Sequence, residues 1–221
     1  MSEKEVKFSV LLQKLLVVFL VCCTGTILML QHACSKLADK EAEKYIQDVE
    51  ARRRWKNEQF KYARNSPLTP EQRIKFKGLN YFPVDIAYRV EARFVDTKDP
   101  FRFKIQTSTG EERLYAKVGE LRFGLGWGRY SLMAYQAVER NEQGRERDLF
   151  VPFTDKTTAE QSYGGGRYLE VRIPQKGGTV VLDFNLAYNP YCAYNLNYSC
   201  PIPPRENHLP IEILAGEKIF K

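Results

Sequence analysis

The sequence predicts a mainly β protein: an antiparallel β-barrel or β-sandwich preceded by an amphipathic helix and an N-terminal membrane or export segment. Three observations carry that expectation. Apolar residues alternate with polar ones at period two from Tyr81 onward. Turn signals punctuate that region closely, and no long helical pattern follows Lys77, which argues against the crossover helices of a parallel sheet. The one apolar run long enough to matter for a membrane lies at the extreme N-terminus, which excludes a polytopic membrane protein. With 221 residues, 43% of them apolar and 13% aromatic, the chain is also excluded from the disordered class and can bury a core.

The first segment, residues 1–34, is an export signal, lipoprotein signal or membrane anchor. Lys4, Lys7 and Lys14 precede the uncharged run Leu15–Leu30, a charged lead followed by an apolar stretch. Val10, Leu11 and Leu12 extend the run towards spanning length, because Lys14 can snorkel to the interface. Leu30-Gln31-His32-Ala33-Cys34 looks like a degenerate lipobox, with Cys34 as the lipidation point. A lipid anchor, an uncleaved anchor and a cleaved signal stay open. Each places the rest of the chain outside the cytoplasm, in the cell envelope, facing the periplasm or the exterior.

Residues 35–77 form a basic helical segment. Ser35–Arg64 contains no Gly or Pro and is rich in Lys, Glu, Ala and Arg. Ala38, Ala42, Tyr45, Ile46, Val49, Phe60 and Ala63 recur at three- and four-residue steps with a polar gap around Arg53 to Lys56: one amphipathic helix, or two joined at the gap, whose thin apolar stripe docks on something. Arg52, Arg53, Arg54 and Lys56 make a basic cluster, either a solvated face or a contact for anionic lipid. The run Asn65–Glu71 stops the helix. Thr69 before Pro70 then reads as an N-cap opening a short turn through Lys75.

Residues 78–221 are the β-domain. Alternation marks strands around Tyr88–Phe94, Phe101–Ile105, Leu121–Trp127, Tyr130–Ala134, Leu149–Phe153, Leu169–Ile173, Val180–Phe184 and Leu209–Ile213. Asp99-Pro100, Ser108–Gly110, Asn141–Gly144 and Gly177-Gly178 are the turn signals between them.

Two loops stand out as candidate binding elements. The first contains Tyr163, Gly164, Gly165, Gly166 and Arg167, where three glycines permit close backbone approach or a bulged strand entry. The second spans Asp183–Cys200 and on to Asn207, with four Tyr, five Asn and four Pro between residues 183 and 207. That length is unusual for a plain connection. Tyr163, Gly165, Arg167, Asp183, Asn185, Tyr188 and Asn189 are the candidate ligand-facing residues for a small polar ligand or an envelope partner. A tight hairpin through Gly177-Gly178 brings Arg167 and Asp183 together.

Cysteine usage fits an exported chain. Cys22 and Cys23 lie in the apolar run and Cys34 at its end, leaving Cys192 and Cys200 as an even pair expected to form a disulfide. The alternatives are an enzyme of hydrolytic or thiol-based type using Cys192, Cys200 or His208, and a purely structural envelope protein. No Gly-x-Ser-x-Gly turn, Walker pattern or Cys-x-x-Cys is present. Cys192, Cys200 and His208 lack an obvious fourth zinc ligand. No metal or cofactor is therefore expected, and no catalytic role is firmly assigned.

Several stretches carry a family resemblance: SPLTPEQRIKFKGLNYFPVDIAYRVEARF, VGELRFGL, LFVPFTDKTTAEQSYGGGRYLEV and VVLDFNLAYNPYCAYNLNYSCPIPPRENHLPIEILAGEK. Together they resemble the bacterial domain-of-unknown-function family numbered 1684, over roughly Val49–Lys218. YGGGRYL, DFN-x-AYNP-x-CAY and CP-x-PP-x-EN-x-LP are the most specific parts. The resemblance implies no known activity. Members without an export signal imply thiols at the positions of Cys192 and Cys200.

Charge sorts by segment. The net +7 divides into +1 over residues 1–33, +5 over 34–77 and +1 over 78–221. The basic excess thus belongs to the helix beside the anchor, a membrane partner is expected there, and nucleic-acid binding by the body loses its main support.

Overall fold

The computed structural model describes residues 39–138, 148–173 and 178–220. The export segment, Cys34, the Asn141–Gly144 turn and Gly177 lie outside the described residues. Among those described, no helix is long and apolar enough to cross a membrane. The chain divides into Met1–Gln47 and Asp48–Lys221. Of the first unit, residues 39–47 are described, and all are helical.

Helix α1 covers residues 39–62. Within the second unit its buried residues are Val49, Arg53 and Phe60. The basic cluster does not act as one surface. Arg53 turns inward, donating to the Phe82 carbonyl at 3.0 Å and stacking 4.5 Å from the Tyr81 ring centroid. Lys56 pairs with buried Glu217, while Arg52 and Arg54 stay exposed. Helix α2, Pro70–Lys75, starts where Thr69 caps it. The Thr69 hydroxyl accepts from the Gln72 amide and the Gln72 side chain accepts from the Thr69 amide, a reciprocal capping box.

The β-domain is one six-stranded antiparallel sheet, curled into a nearly closed barrel. Its strands are β1 (Arg89–Gln106), β2 (Glu112–Leu125), β3 (Gly128–Ala137), β4 (Asp148–Phe153), β5 (Arg167–Arg172) and β6 (Thr179–Asp183), in the order β5-β4-β3-β2-β1-β6. The hairpin expected through Gly177-Gly178 is not a paired ladder. β6 pairs with β1, from Arg89↔Asp183 to Arg93↔Thr179, and β5 pairs with β4. The two strands are the edges of the sheet, and curvature brings those edges close. A bridge between Tyr168 and Tyr188 stitches the closure.

Three other expectations change. Asp99-Pro100 does not end a strand: β1 runs through it for 18 residues, with a register shift between Asp96 and Phe101. Proline lacks the amide a central ladder needs, and a bulge is where that loss is tolerated. Trp127 is in the β2–β3 turn rather than the strand. Leu209–Ile213 is not a strand, although Leu209 and Ile213 are fully buried. Alternation reports one-sided burial, which a segment crossing the barrel end also has.

The barrel interior holds Ala92, Phe94, Leu121, Phe123, Leu132, Leu149, Val151, Phe153, Leu169, Leu182 and Phe184. A second cluster joins Phe60, Leu68, Phe76 and Leu79 to Tyr194 of the long loop. The long loop is thus held against the helical segment by packing.

Candidate functional site

The triple-glycine loop and the long loop do meet the barrel end, but as architecture. Arg167 is fully buried. On β5 it shares the inward face with Leu169 and Val171. Its Nη2 donates to Asp155 Oδ2 at 2.7 Å and to the Ile213 carbonyl at 2.9 Å. Its Nη1 donates to the carbonyls of Ala215 and Glu217. Phe153 and Phe82 rings lie 5.3 and 5.6 Å from the guanidinium. Burial pushes the Arg167 pKa down, and the Asp155 carboxylate opposes that shift. Asp155 is therefore a buried carboxylate partner of Arg167. Asp155 is aimed by its own turn, accepting from the amides of Thr157 at 2.7 Å and Ile213 at 3.3 Å.

The other predicted ligand-facing residues divide. Asn185 is buried and clasps Asp85, accepting from its amide at 3.0 Å and donating to its carbonyl at 2.8 Å. Asn189 is buried too: its amide donates to Glu217 Oε2 at 2.8 Å and its side chain to the Lys218 carbonyl at 2.8 Å. Asp183 caps the turn at Phe184–Leu186 by accepting from the Asn185 amide at 3.1 Å. Tyr188, half-exposed, donates to Glu170 at 3.0 Å. Of the three glycines, Gly166 is the one with a conformational demand. Its φ is +81°, and a Cβ there would stand 2.6 Å from Pro203 Cγ and 2.7 Å from the Phe153 carbonyl. Gly165 packs under the half-exposed Tyr163 ring.

Glu217 organises the same end. It is 1% exposed and accepts from Lys56, Tyr194 and the Asn189 amide. A carboxylate so surrounded fixes the C-terminal segment against α1 and the long loop.

Cys192 and Cys200, expected as a disulfide, are brought together as two free, buried thiols. The Cys192 amide donates to Cys200 Sγ at 3.2 Å, and the Tyr163 hydroxyl donates to Cys192 Sγ at 3.6 Å. A side-chain hydrogen bond between the two thiols pushes Cys192 down to about 6 and Cys200 up, while the Cys192 amide opposes the rise on Cys200. His208 is exposed and bonds Thr154 Oγ1 at 3.0 Å, so among the described residues no cysteine–histidine pair is formed. No group of three or more metal-ligating side chains exists among the described residues.

The outward face of the sheet carries what the loops do not. Register places Arg93 of β1 directly opposite Arg122 of β2, with Thr179 and Ser131 on either side of the pair. Arg129 of β3 sits opposite Gly124. The three arginines are exposed and border a groove of about 650 Å³. Gly124 leaves its floor open: the nearest atom to a Cβ there would be 3.9 Å away. Like charges directly opposite on a ladder destabilise it, so this arrangement is not one that folding favours. Two carboxylates, Glu91 and Glu120, line the same groove, and Glu120 pairs with Arg122. Arg122 Nη2 and Nε reach its Oε2 at 2.6 and 2.7 Å. That contact lowers the Glu120 pKa against the opposing effect of burial, and the Ser131 hydroxyl adds to it. Among the described residues, Arg93 and Arg129 have no carboxylate partner. The arrangement can grip an anion with forked guanidinium donors. The alternation of charges along each strand was readable; the register that stacks the arginines was not.

The model of a family described as "Protein of unknown function (DUF1684)" matches residues 74–218. The solution NMR structure of the uncharacterised protein from gene locus rrnAC0354 of Haloarcula marismortui is similar to this chain at 40% identity and a TM-score of 0.63. The match covers 81% of this chain and 97% of that one. No curated protein matches.

Proposed function

The chain belongs to the DUF1684 family, whose description supplies no activity, and we propose that it is a binding module for a small anionic ligand, tethered to the membrane by its N-terminal segment. The observation that carries this reading is the groove, where Arg93, Arg122 and Arg129 from three neighbouring strands surround the side-chain-free Gly124. Guanidinium forks suit a carboxylate or phosphate group, and the flanking Ser131 and Thr179 hydroxyls suit a polar remainder. The tether rests on the apolar run Leu15–Leu30 after its lysine-bearing lead, with Cys34 as the lipidation point in one form of it. It would face the module to the periplasm or the exterior. With a net charge of only +1 over residues 78–221, the body offers nucleic acid no extended phosphate track.

Calorimetric titration with pyrophosphate and with citrate tests the groove. Saturable binding that weakens about tenfold in Arg122→Ala or Arg129→Ala supports it. Binding unchanged in both variants, or absent, leaves the structural-protein alternative standing. Separately, fractionation of cells making the full chain should place it with membranes. Recovery in the soluble fraction would remove the tether and leave the groove untouched.

A further inference from the structure

We propose that Cys192 and Cys200 form a peroxide-sensitive dithiol whose closure to a disulfide locks the loop between β6 and the C-terminal segment. This does not depend on the anion groove. It also differs from a permanent structural disulfide, because both the thiol and the bonded form are working states.

The two sulfurs are delivered from different anchors. Cys192 is the centre of a 3-10 turn, Tyr191–Ala193, and its amide points at Cys200 Sγ from 3.2 Å. Cys200 is fixed to the β1–β2 turn: its amide donates to Ser108 Oγ at 3.1 Å and its carbonyl accepts from the Ser108 amide at 2.8 Å. Two residues on, the Ile202 amide donates to the Gln106 carbonyl at 2.8 Å. Between them, Tyr194 is held by Glu217. The loop ends are therefore positioned without the bond.

The surroundings make the pair asymmetric. The Cys192 sulfur accepts from Tyr163 at 3.6 Å, and hydrogen bonds from Cys200 and Ser108 act in the same direction. Hydroxyl and thiol donors around one sulfur favour the thiolate there. The side-chain hydrogen bond with Cys192 and burial push the Cys200 thiol up, with the Cys192 amide opposing them. That is the arrangement of an attacking and a resolving cysteine. Both residues are under 10% exposed, at 5% and 8%, which selects a small oxidant over a bulky protein disulfide.

The chemistry balances with a peroxide as oxidant. The Cys192 thiolate attacks one peroxide oxygen; the O–O bond breaks, a sulfenic acid forms and hydroxide leaves to be protonated. The Cys200 sulfur then attacks the Cys192 sulfur and gives up its proton; the S–O bond breaks, water leaves and the S–S bond forms. Two thiols lose two electrons and hydrogen peroxide becomes two waters. A low-molecular-weight thiol returns the pair to its reduced form by exchange.

The test uses the full chain, reduced, desalted and dosed with hydrogen peroxide, followed by peptide mass mapping so that Cys22, Cys23 and Cys34 are read separately. The expected result is a cross-linked Cys192–Cys200 peptide that glutathione reopens without denaturant. In Cys200→Ser, dimedone should trap a sulfenic acid on Cys192. In Cys192→Ser, oxidation of Cys200 should be at least about tenfold slower. The proposal is overturned if no such peptide forms at a dose that oxidises free glutathione. It is equally overturned if the isolated chain holds a bond that glutathione cannot open. The wild-type mapping decides even where a serine variant fails to fold.

Discussion

Two groups of arginine sit on the same sheet and do opposite things. Arg167, at the closed end, is fully buried, and its head is shared among Asp155 and three backbone carbonyls. Arg93, Arg122 and Arg129, on the outer face, are exposed; Glu91 and Glu120 share their groove, and among the described residues the one ion pair there is Glu120 with Arg122. A guanidinium whose two terminal nitrogens are answered inside the protein holds the fold together. One that the fold leaves next to its own kind is available to a ligand. The residues that look most functional in sequence, around the three glycines, belong to the first kind.

The comparison breaks most readily at its buried member. Arg167→Ala or Asp155→Ala should each destabilise by about 3–5 kcal/mol, since either leaves an uncompensated charge inside. Urea unfolding measures it; a loss below about 1 kcal/mol would mean that the pair is not the hub described. Gly166→Ala should cost about 1–3 kcal/mol, because the residue needs a positive φ and has backbone within 2.7 Å. Gly164→Ala, whose Cβ would meet nothing nearer than 3.5 Å, should be close to neutral. A reversal of that order would locate the loop's demand in the wrong glycine.

On the outer face the effects move from stability to binding. Arg93→Ala and Arg129→Ala should change unfolding free energy by no more than about 0.5 kcal/mol while weakening pyrophosphate binding about tenfold. Acidity sharpens the point. The Glu120 carboxyl is held below its usual range, chiefly by Arg122. A depressed carboxyl adds stability above its unfolded pKa and loses it as pH falls through the folded value. As pH falls through that folded value, Glu120 is neutralised and Arg122 is released. Sulfate, which keeps its charge there, should then bind several-fold more tightly than at neutral pH, as salt-matched titrations would show. Glu120→Gln should remove that rise.

Much of the architecture was legible. Period-two alternation located β1 to β6, and Thr69-Pro70 located the start of α2, because burial and capping are local demands. Pairing is not local. Nothing in the sequence said that β6 joins β1, so the paired hairpin expected to bring Arg167 and Asp183 together does not form. Yet the inward placement of Arg167 could have been read: it is two residues before Leu169 and four before Val171, on the face that goes to the core. Arg93 was legible as outward-facing between Ala92 and Phe94, but its place opposite Arg122 depends on register. The near-neutral charge of the body concealed the cluster, since acidic residues, Glu91 and Glu120 in the groove among them, cancel it in the sum.

The most direct test of the division between structural and available arginines is a pyrophosphate titration followed by amide NMR shifts on the isotope-labelled protein. Saturable shifts are expected at Arg93, Arg122, Gly124, Arg129 and Ser131, with Arg167, Asn185 and Asn189 unmoved. Shifts centred on Tyr163–Arg167 and the 185–200 loop, with the outer face silent, would contradict it.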